Sequence, residues 1–295
     1  MRALVTGGSG ILGREVVRVL GERGVDVLAP SHETLSVTDA NGLRHAVKDF
    51  APQVVYHLAA MTDVDRCERE PRECALVNLT ASTRIANLCE EFGTTMVYAS
   101  TGQVLGTRHA ISVDESAAPV PANRYAASKF SAEQHIRTHL PTEQWLVARM
   151  CWLYGSDHRD PRLVGYCLGR LHQDAPLPVI RGEFGSPTSA ADAAERIVAL
   201  WERGLRGLHH VANVGCVERP DVARYILQAA GDATSRVRPV LADAFLTARA
   251  PRPVSEAMHT SRADVLGTLG PMRSWDIALG EYLRALDVAA TGTRA

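Results

Sequence analysis

Tyr125 and Lys129 stand four residues apart in Tyr125-Ala126-Ala127-Ser128-Lys129, so a helix through this stretch puts one above the other on a single face. A free phenol loses its proton at about pH 10, and an ammonium nearby lowers that value toward neutrality. Such a phenol can give a proton to the oxygen left behind when a hydride reaches a carbonyl carbon. Lys129 can also hydrogen-bond a ribose. Ser100 and Thr101 close the apolar run Thr95-Met96-Val97-Tyr98-Ala99, and a hydroxyl at a strand's carboxyl end can hold the carbonyl as part of an oxyanion-type site. Tyr-x-x-x-Lys occurs by chance in many helices, so its weight comes from its surroundings.

Thr6-Gly7-Gly8-Ser9-Gly10-Ile11-Leu12-Gly13 carries glycines at GxGxxG spacing (Gly8, Gly10, Gly13) and at GxxGxxG spacing (Gly7, Gly10, Gly13). Glycines there make a tight turn, let backbone approach a pyrophosphate, and let a helix pack closely on a strand. The anion would rest on the N–H groups at the start of the helix from Ile11. Glycines also make plain turns; the strand before and the amphipathic helix after point to a dinucleotide. Past the second strand stands Ala29-Pro30-Ser31-His32-Glu33, without the acid that would hold both adenosine ribose hydroxyls. Ser31 and His32 can donate to a 2′-phosphate, so NADPH is expected ahead of NADH. Glu33 reaching the ribose is the alternative, and a merely solvated loop is the plain one.

Alternating elements must position these groups. Apolar runs at 2–6, 25–29, 54–60, 95–100, 145–149 and 207–212 read as strands. Between them, helical spacing runs from 11 to about 24 and over 43–50, 71–92, 124–139 and 190–203. This alternation predicts right-handed βαβ units and a parallel sheet covered on both faces, a Rossmann-type doubly wound α/β fold. After Gly155 the pattern loosens into the polar stretch 156–162, prolines at 176, 178 and 187, and short helices. A smaller, interleaved C-terminal substrate-binding lobe is expected there. The boundaries place 1–154 and 188–213 in the dinucleotide-binding domain, 155–187 and 214–288 in the lobe, and 289–295 in a frayed tail.

A formal net charge of -1 offers no basic field for nucleic acid. No run approaches the roughly 20 apolar residues of a membrane span, and 1–7 is too short for a signal peptide. Cys67, Cys74, Cys89, Cys151, Cys167 and Cys216 form no CxxC pair, and no histidine completes a zinc set. Reduced thiols in a cytoplasmic protein, and no metal, are the expectation. Asp63 and Asp65 could be a working carboxylate pair, but two acids in a polar loop are more simply solvated. His209-His210, in an apolar strand, reads as structural.

The glycine loop, then His57-Leu58-Ala59-Ala60, Ala99-Ser100-Thr101 and Tyr125-Ala126-Ala127-Ser128-Lys129, in that order, resembles the extended short-chain dehydrogenase/reductases. The resemblance is closer to the dTDP-4-dehydrorhamnose reductases and related sugar-nucleotide ketoreductases. It runs on through Ala60 to Glu68 with Pro71 and Asn78 beyond, Pro121 to Tyr125, Arg149 to Gly155, Phe184 to Thr188, and Arg252-Pro253. The resemblance implies Thr101, Tyr125 and Lys129 as the catalytic set. It implies Gly7, Gly10, Ile11, Leu12, Gly13, Leu58, Ala59 and Ala60 around NAD(P)H, joined by Ser31, His32, Tyr125 and Lys129. Around the substrate it implies Thr62, Val64, Gln103, Trp152, Glu183 and Arg252, the last toward a diphosphate.

The reaction implied is hydride delivery to C4 of a nucleotide-linked 4-keto-6-deoxysugar. Gly102-Gln103 stand where the family has Asp-Tyr, Glu183 where it has Gln, and Ser36 where an acid is expected. The family's Asn-Phe pair is not recognisable among Asp157, His158, Arg159, Asp160 and Pro161. Two alternatives follow: a reductase of a non-nucleotide ketone, and a cofactor-binding regulatory subunit without turnover, as the methionine adenosyltransferase regulatory subunit resembles this family. Expected partners are a small molecule and a second copy of the chain, with neither nucleic acid nor membrane.

Overall fold

The computed structural model describes residues 1–109, 111–155, 162–244 and 250–287. The expectations placed on Asp157 to Pro161 and on the tail 289–295 lie outside the described residues. In chain order the first half runs β1 (Arg2–Thr6), α1 (Ile11–Glu22), β2 (Asp26–Leu28), α2 (Ala40–Phe50), β3 (Val54–His57), α3 (Val64–Arg69), α4 (Pro71–Cys74), a π-helical turn (Ala75–Thr80), α5 (Ala81–Phe92), β4 (Thr95–Thr101), α6 (Arg124–His139) and β5 (Trp145–Met150). The second half runs β6 (Leu153–Tyr154), α7 (Leu163–Leu168), β7 (Leu177–Ile180), β8 (Phe184–Gly185), β9 (Thr188–Ser189), α8 (Ala190–Glu202), β10 (Gly207–His210), β11 (Val217–Glu218), α9 (Arg219–Ala229), β12 (Val237–Val240), α10 (Ala263–Leu269) and α11 (Trp275–Ala285).

Successive side chains of a strand point to opposite faces. Ala3 and Val5 of β1 enter one core with Leu12, Val16 and Val19 of α1 and Ala193, Ile197 and Val198 of α8. Leu4 enters another, with Leu43 of α2, Ile85 of α5 and Ile136 of α6. A strand buried on both faces belongs in a parallel sheet, and six strands form one in the order β10-β5-β4-β3-β1-β2. The chain leaves β1 to one side for β2 and returns to the other for β3, so a crevice opens between the carboxyl ends of β1 and β3. A third core gathers Tyr154, Leu168, Leu177, Ile226 and Leu279 from β6, α7, β7, α9 and α11. Among the described residues no helix is long and apolar enough to cross a membrane.

The sheet has edges at β10 and β2, and charged side chains occupy the β10 edge. Glu115 accepts from the His210 N–H at 2.9 Å, and Arg262 Nη1 donates to the Arg206 and Leu208 carbonyls at 2.8 and 3.2 Å.

Several elements differ from the sequence expectation. β3 stops at His57: the Leu58 N–H still bonds the Thr6 carbonyl at 3.2 Å, and the chain then leaves the sheet toward the site. β10 likewise stops at His210. The polar stretch after Met61 is helical, because Asp63 caps α3 by accepting from the Arg66 N–H at 2.9 Å. The helix expected over 71–92 is interrupted by the π turn, where Asn78 turns its amide inward.

Candidate active site

The glycine loop fills the crevice so tightly that side chains are excluded. Gly7 has φ +74°, and a Cβ there would lie 2.6 Å from the Ala59 N; one on Gly13 would lie 2.0 Å from the Gly7 carbonyl. Gly10 is the N-cap of α1 and offers no side chain, so the N–H groups of Ile11, Leu12 and Gly13 face outward without a capping acceptor. Leu58, Ala59 and Ala60 line the other side, half-buried. This cradle fits a pyrophosphate at a helix N-terminus. The loop after β2 closes on it, Ala29 Cβ standing 3.0 Å from where a Gly8 Cβ would be. Ser31 bonds Thr34 in a tight turn at 2.9 Å, which leaves Ser31 and His32 exposed beside the cradle.

Beyond the next strand ends, β4 and α6 bring Thr101, Tyr125 and Lys129 together. Asn123 starts α6 by accepting from the Ala126 N–H at 2.8 Å. Its amide donates to Gln103 Oε1 at 2.9 Å and to the Pro251 carbonyl at 2.8 Å. The Gln103 N–H in turn meets Thr101 Oγ1 at 3.3 Å. Gln103, expected against the substrate, is buried and engaged by Asn123. From the other side Asn78 holds both peptide groups of Met61 (2.8 and 3.1 Å) and donates to Ser128 Oγ at 3.2 Å. Val64 packs with Met61, Cys67, Cys74 and Tyr125, whereas Thr62 is exposed.

Tyr125 is 8% exposed and Lys129 2%. Burial pushes the Tyr125 phenol well above its ordinary value, with a Thr101 hydrogen bond working against it. Burial brings Lys129 down to about 7, opposed by Glu133 and Cys74, and its Nζ rests 4.1 Å from the centre of the Tyr98 ring. The expected lowering of the phenol by the ammonium is therefore outweighed: both groups are out of water, and each is driven toward its neutral form.

Glu133, one turn past Lys129, accepts from Arg149 of β5 through two bonds (3.0 and 2.7 Å) and from Ser100 of β4, all fully or nearly buried. That network ties the strand carrying Thr101 to the helix carrying Tyr125. His57 lies between Thr6 Oγ1 (2.7 Å) and Ser82 Oγ (2.9 Å). Ser82 donates its one proton to the Asn78 carbonyl at 2.7 Å, so His57 donates from Nε2 and accepts at Nδ1. Burial lowers His57 to about 3, which keeps it a neutral spacer.

The far wall comes from the later chain. Trp152, at φ +43°, lays its ring over Gly185, where a Cβ would lie 2.4 Å from the ring. Arg219 stacks on that ring at 4.3 Å and donates to Glu183 at 2.7 Å. Trp152 Nε1 points at Glu256 Oε1, 3.4 Å away. Arg252 donates to Asp65 at 3.1 Å, and Asp65 also accepts from the Ala250 N–H at 2.8 Å. Asp63 and Asp65 are thus a helix cap and a clasp on Arg252, not a working pair. His210 donates from Nδ1 to the Val113 and His259 carbonyls, a structural role.

Sequence reasoning missed Asn123, Glu133, Arg149, Arg219 and Glu256 as parts of the site. Asn123 had a signal as an N-cap residue two before Tyr125, and Glu133 as the next residue on the Tyr125-Lys129 face. Glu256 had none. All six cysteines are free thiols, and no group of three metal-ligating side chains occurs among the described residues.

Residues 1–288 match the family described as RmlD substrate binding domain. A probable dTDP-4,6-dihydroxy-2-methyloxan-3-one 4-ketoreductase of Streptomyces antibioticus is 34% identical over 95% of this chain and 94% of its own. A dTDP-4-dehydrorhamnose reductase of Streptomyces griseus is 32% identical over 97% and 94%. Among solved structures, dTDP-4-dehydrorhamnose reductase of Bacillus anthracis in complex with NADP superimposes with a TM-score of 0.88 at 27% identity, over 96% of this chain and 99% of that one. A dinucleotide cradle, a Thr/Tyr/Lys cluster and a match spanning nearly every residue agree: the chain belongs to the RmlD substrate-binding domain family.

Proposed function

We propose that this chain is an NADPH-dependent reductase of the C4 ketone of a nucleotide-linked 4-keto-6-deoxysugar. One observation carries the reading: a hydroxyl, a phenol and an amine are gathered from β4 and α6 beside an anion-ready glycine cradle. The names of the relatives support the sugar, and the NADP complex of the B. anthracis reductase supports the cofactor. When bound in the cradle, the reduced nicotinamide supplies a hydride to the carbonyl carbon. Tyr125, held protonated by burial, gives its proton to the carbonyl oxygen. Thr101 donates a hydrogen bond to that oxygen and aligns it. Lys129 sits close to its titration point at neutral pH, and its protonated form stabilises the phenolate that results while orienting the ribose.

Ser31 and His32 would meet the 2′-phosphate. Thr62, Val64 and Trp152 would border the sugar, and Arg252, anchored by Asp65, would reach the diphosphate. In this reading 1–154 and 188–213 bind the dinucleotide and 155–187 and 214–288 the substrate, with Val265 of α10 reaching back into the core under the sheet. The reading includes a cytoplasmic location, in keeping with six free thiols. It also includes a homodimer, which would run in solution at twice the 31.9 kDa of the chain.

The test is loss of nicotinamide absorbance against dTDP-4-keto-6-deoxysugars with NADPH and then NADH. Turnover is expected with NADPH ahead of NADH. Tyr125→Phe is expected to lower kcat by at least about 10²-fold while binding NADPH normally. NADPH binding by the wild type without turnover of any such sugar would overturn the reading, and NADH binding tenfold tighter would overturn the cofactor preference.

A further inference from the structure

We propose that Glu256 accepts a hydrogen bond from the hydroxyl vicinal to the substrate ketone, making the enzyme selective for 4-keto-6-deoxysugars that carry a C3 hydroxyl. The inference rests on the function proposed above.

Glu256 is 6% exposed and lies four residues past Arg252. Its backbone is packed against the residue that follows Thr101: a Cβ on Gly102 would stand 2.8 Å from the Glu256 carbonyl and 3.4 Å from its Cβ. Its carboxyl is close enough to Tyr125 for its charge to act on the phenol, and Trp152, Arg219 and Arg252 surround it. Yet the protein gives it little. Trp152 Nε1 approaches Oε1 at 3.4 Å, a long bond, and it is the one hydrogen bond that the described residues give this carboxyl. Arg219 is turned to Glu183 at 2.7 Å, and Arg252 to Asp65 at 3.1 Å.

Burial pushes the Glu256 carboxyl above its ordinary value, and a weakly partnered polar group in such a place is costly to keep. A ligand bringing a hydroxyl would offset that cost, because a carboxyl oxygen accepts whether or not the group is ionised. The chemistry of the ring narrows the choice of hydroxyl. On either side of a C4 ketone in a 6-deoxyhexose stand C3, which bears a hydroxyl, and C5, which bears the methyl and the ring oxygen. With the phenol of Tyr125 addressed to the C4 oxygen, the donor nearest to a carboxylate beside Tyr125 is the one on C3.

The experiment compares kcat/KM on a dTDP-4-keto-6-deoxyhexose and on its 3-deoxy counterpart, for the wild type, Glu256→Met and Glu256→Gln, with melting and NADPH titration on each. The wild type is expected to favour the hydroxylated sugar by at least about tenfold, as the loss of a buried group's hydrogen-bond partner would give. Glu256→Met should lose that preference by falling on the hydroxylated sugar alone, and Glu256→Gln, a neutral acceptor, should keep part of it. Equal losses on both sugars, or a wild type indifferent to the hydroxyl, would overturn the inference and leave Glu256 as an anchor for Trp152. Should Glu256→Met not fold, Glu256→Gln decides, and an unchanged preference there overturns the inference. Wild-type turnover of neither sugar overturns the proposed function as well; turnover of both without preference overturns this inference alone.

Discussion

Lys129 is held out of water against the Tyr98 ring, and the consequence reaches beyond catalysis. A lysine in the unfolded chain keeps its proton to about pH 10.4, whereas burial brings the folded group to about 7. The folded state therefore carries a penalty that is complete below pH 7 and is lost as the pH rises toward 10. Lys129→Met is expected to melt above the wild type at pH 7, by about 2–4 °C per kcal/mol recovered, with the gap closing by pH 10. Thermal unfolding across that range measures it, and a pH-independent gap would contradict it. Thr101 was told from Ser100 only by the resemblance, whereas Tyr125 and Lys129 were legible because their types and spacing state a chemistry. Their pKa directions were not, since the sequence shows that a lysine is four residues away but not that both groups are dry. Gln103 shows the same blindness: its amide belongs to Asn123, a partner 20 residues on that no spacing rule reports.

At the scale of elements, the glycine loop and α1 were plain in the sequence because close backbone approach admits no other residue type. The Gly7 carbonyl accepts from the Gly10 N–H at 3.0 Å, and it is the atom a Cβ on Gly13 would strike. Gly13→Ala must displace that turn, so NADPH affinity is expected to fall at least about tenfold, with a stability loss of about 1–3 kcal/mol. A fluorescence titration beside a urea melt checks both. The π turn and α3 were hidden. Asn78 satisfies Met61 and Ser128 at once, and that demand, set by two distant segments, widens the helix. Asp63 read as a solvated loop acid, because nothing local says that it ends the loop and caps α3.

In the molecule as a whole, the alternation of strands and helices predicted the doubly wound sheet, while the interleaving was visible only as a loosening of pattern. The core on one face of β1 is completed by Ala193, Ile197, Leu200, Val211 and Val265, all of which come after residue 188. Residues 1–154 made alone would leave α1 uncovered on that side. This fragment is expected neither to bind NADPH nor to give a folded circular-dichroism melt, and a soluble fragment that binds the cofactor would contradict that.

The occupied edge of β10 bears on how the protein fares in a crowded solution. An open strand is a template, and a second chain that finds free peptide groups can extend the sheet indefinitely. Here Glu115 and Arg262 already hold the outward N–H of His210 and the outward carbonyl of Leu208. Glu115→Ala would free the template, so turbidity and thioflavin fluorescence are expected to rise at a lower temperature in that variant, before any loss of the native fold. The two side chains act as a stopper on that side: they stand where a further strand would have to pair with β10.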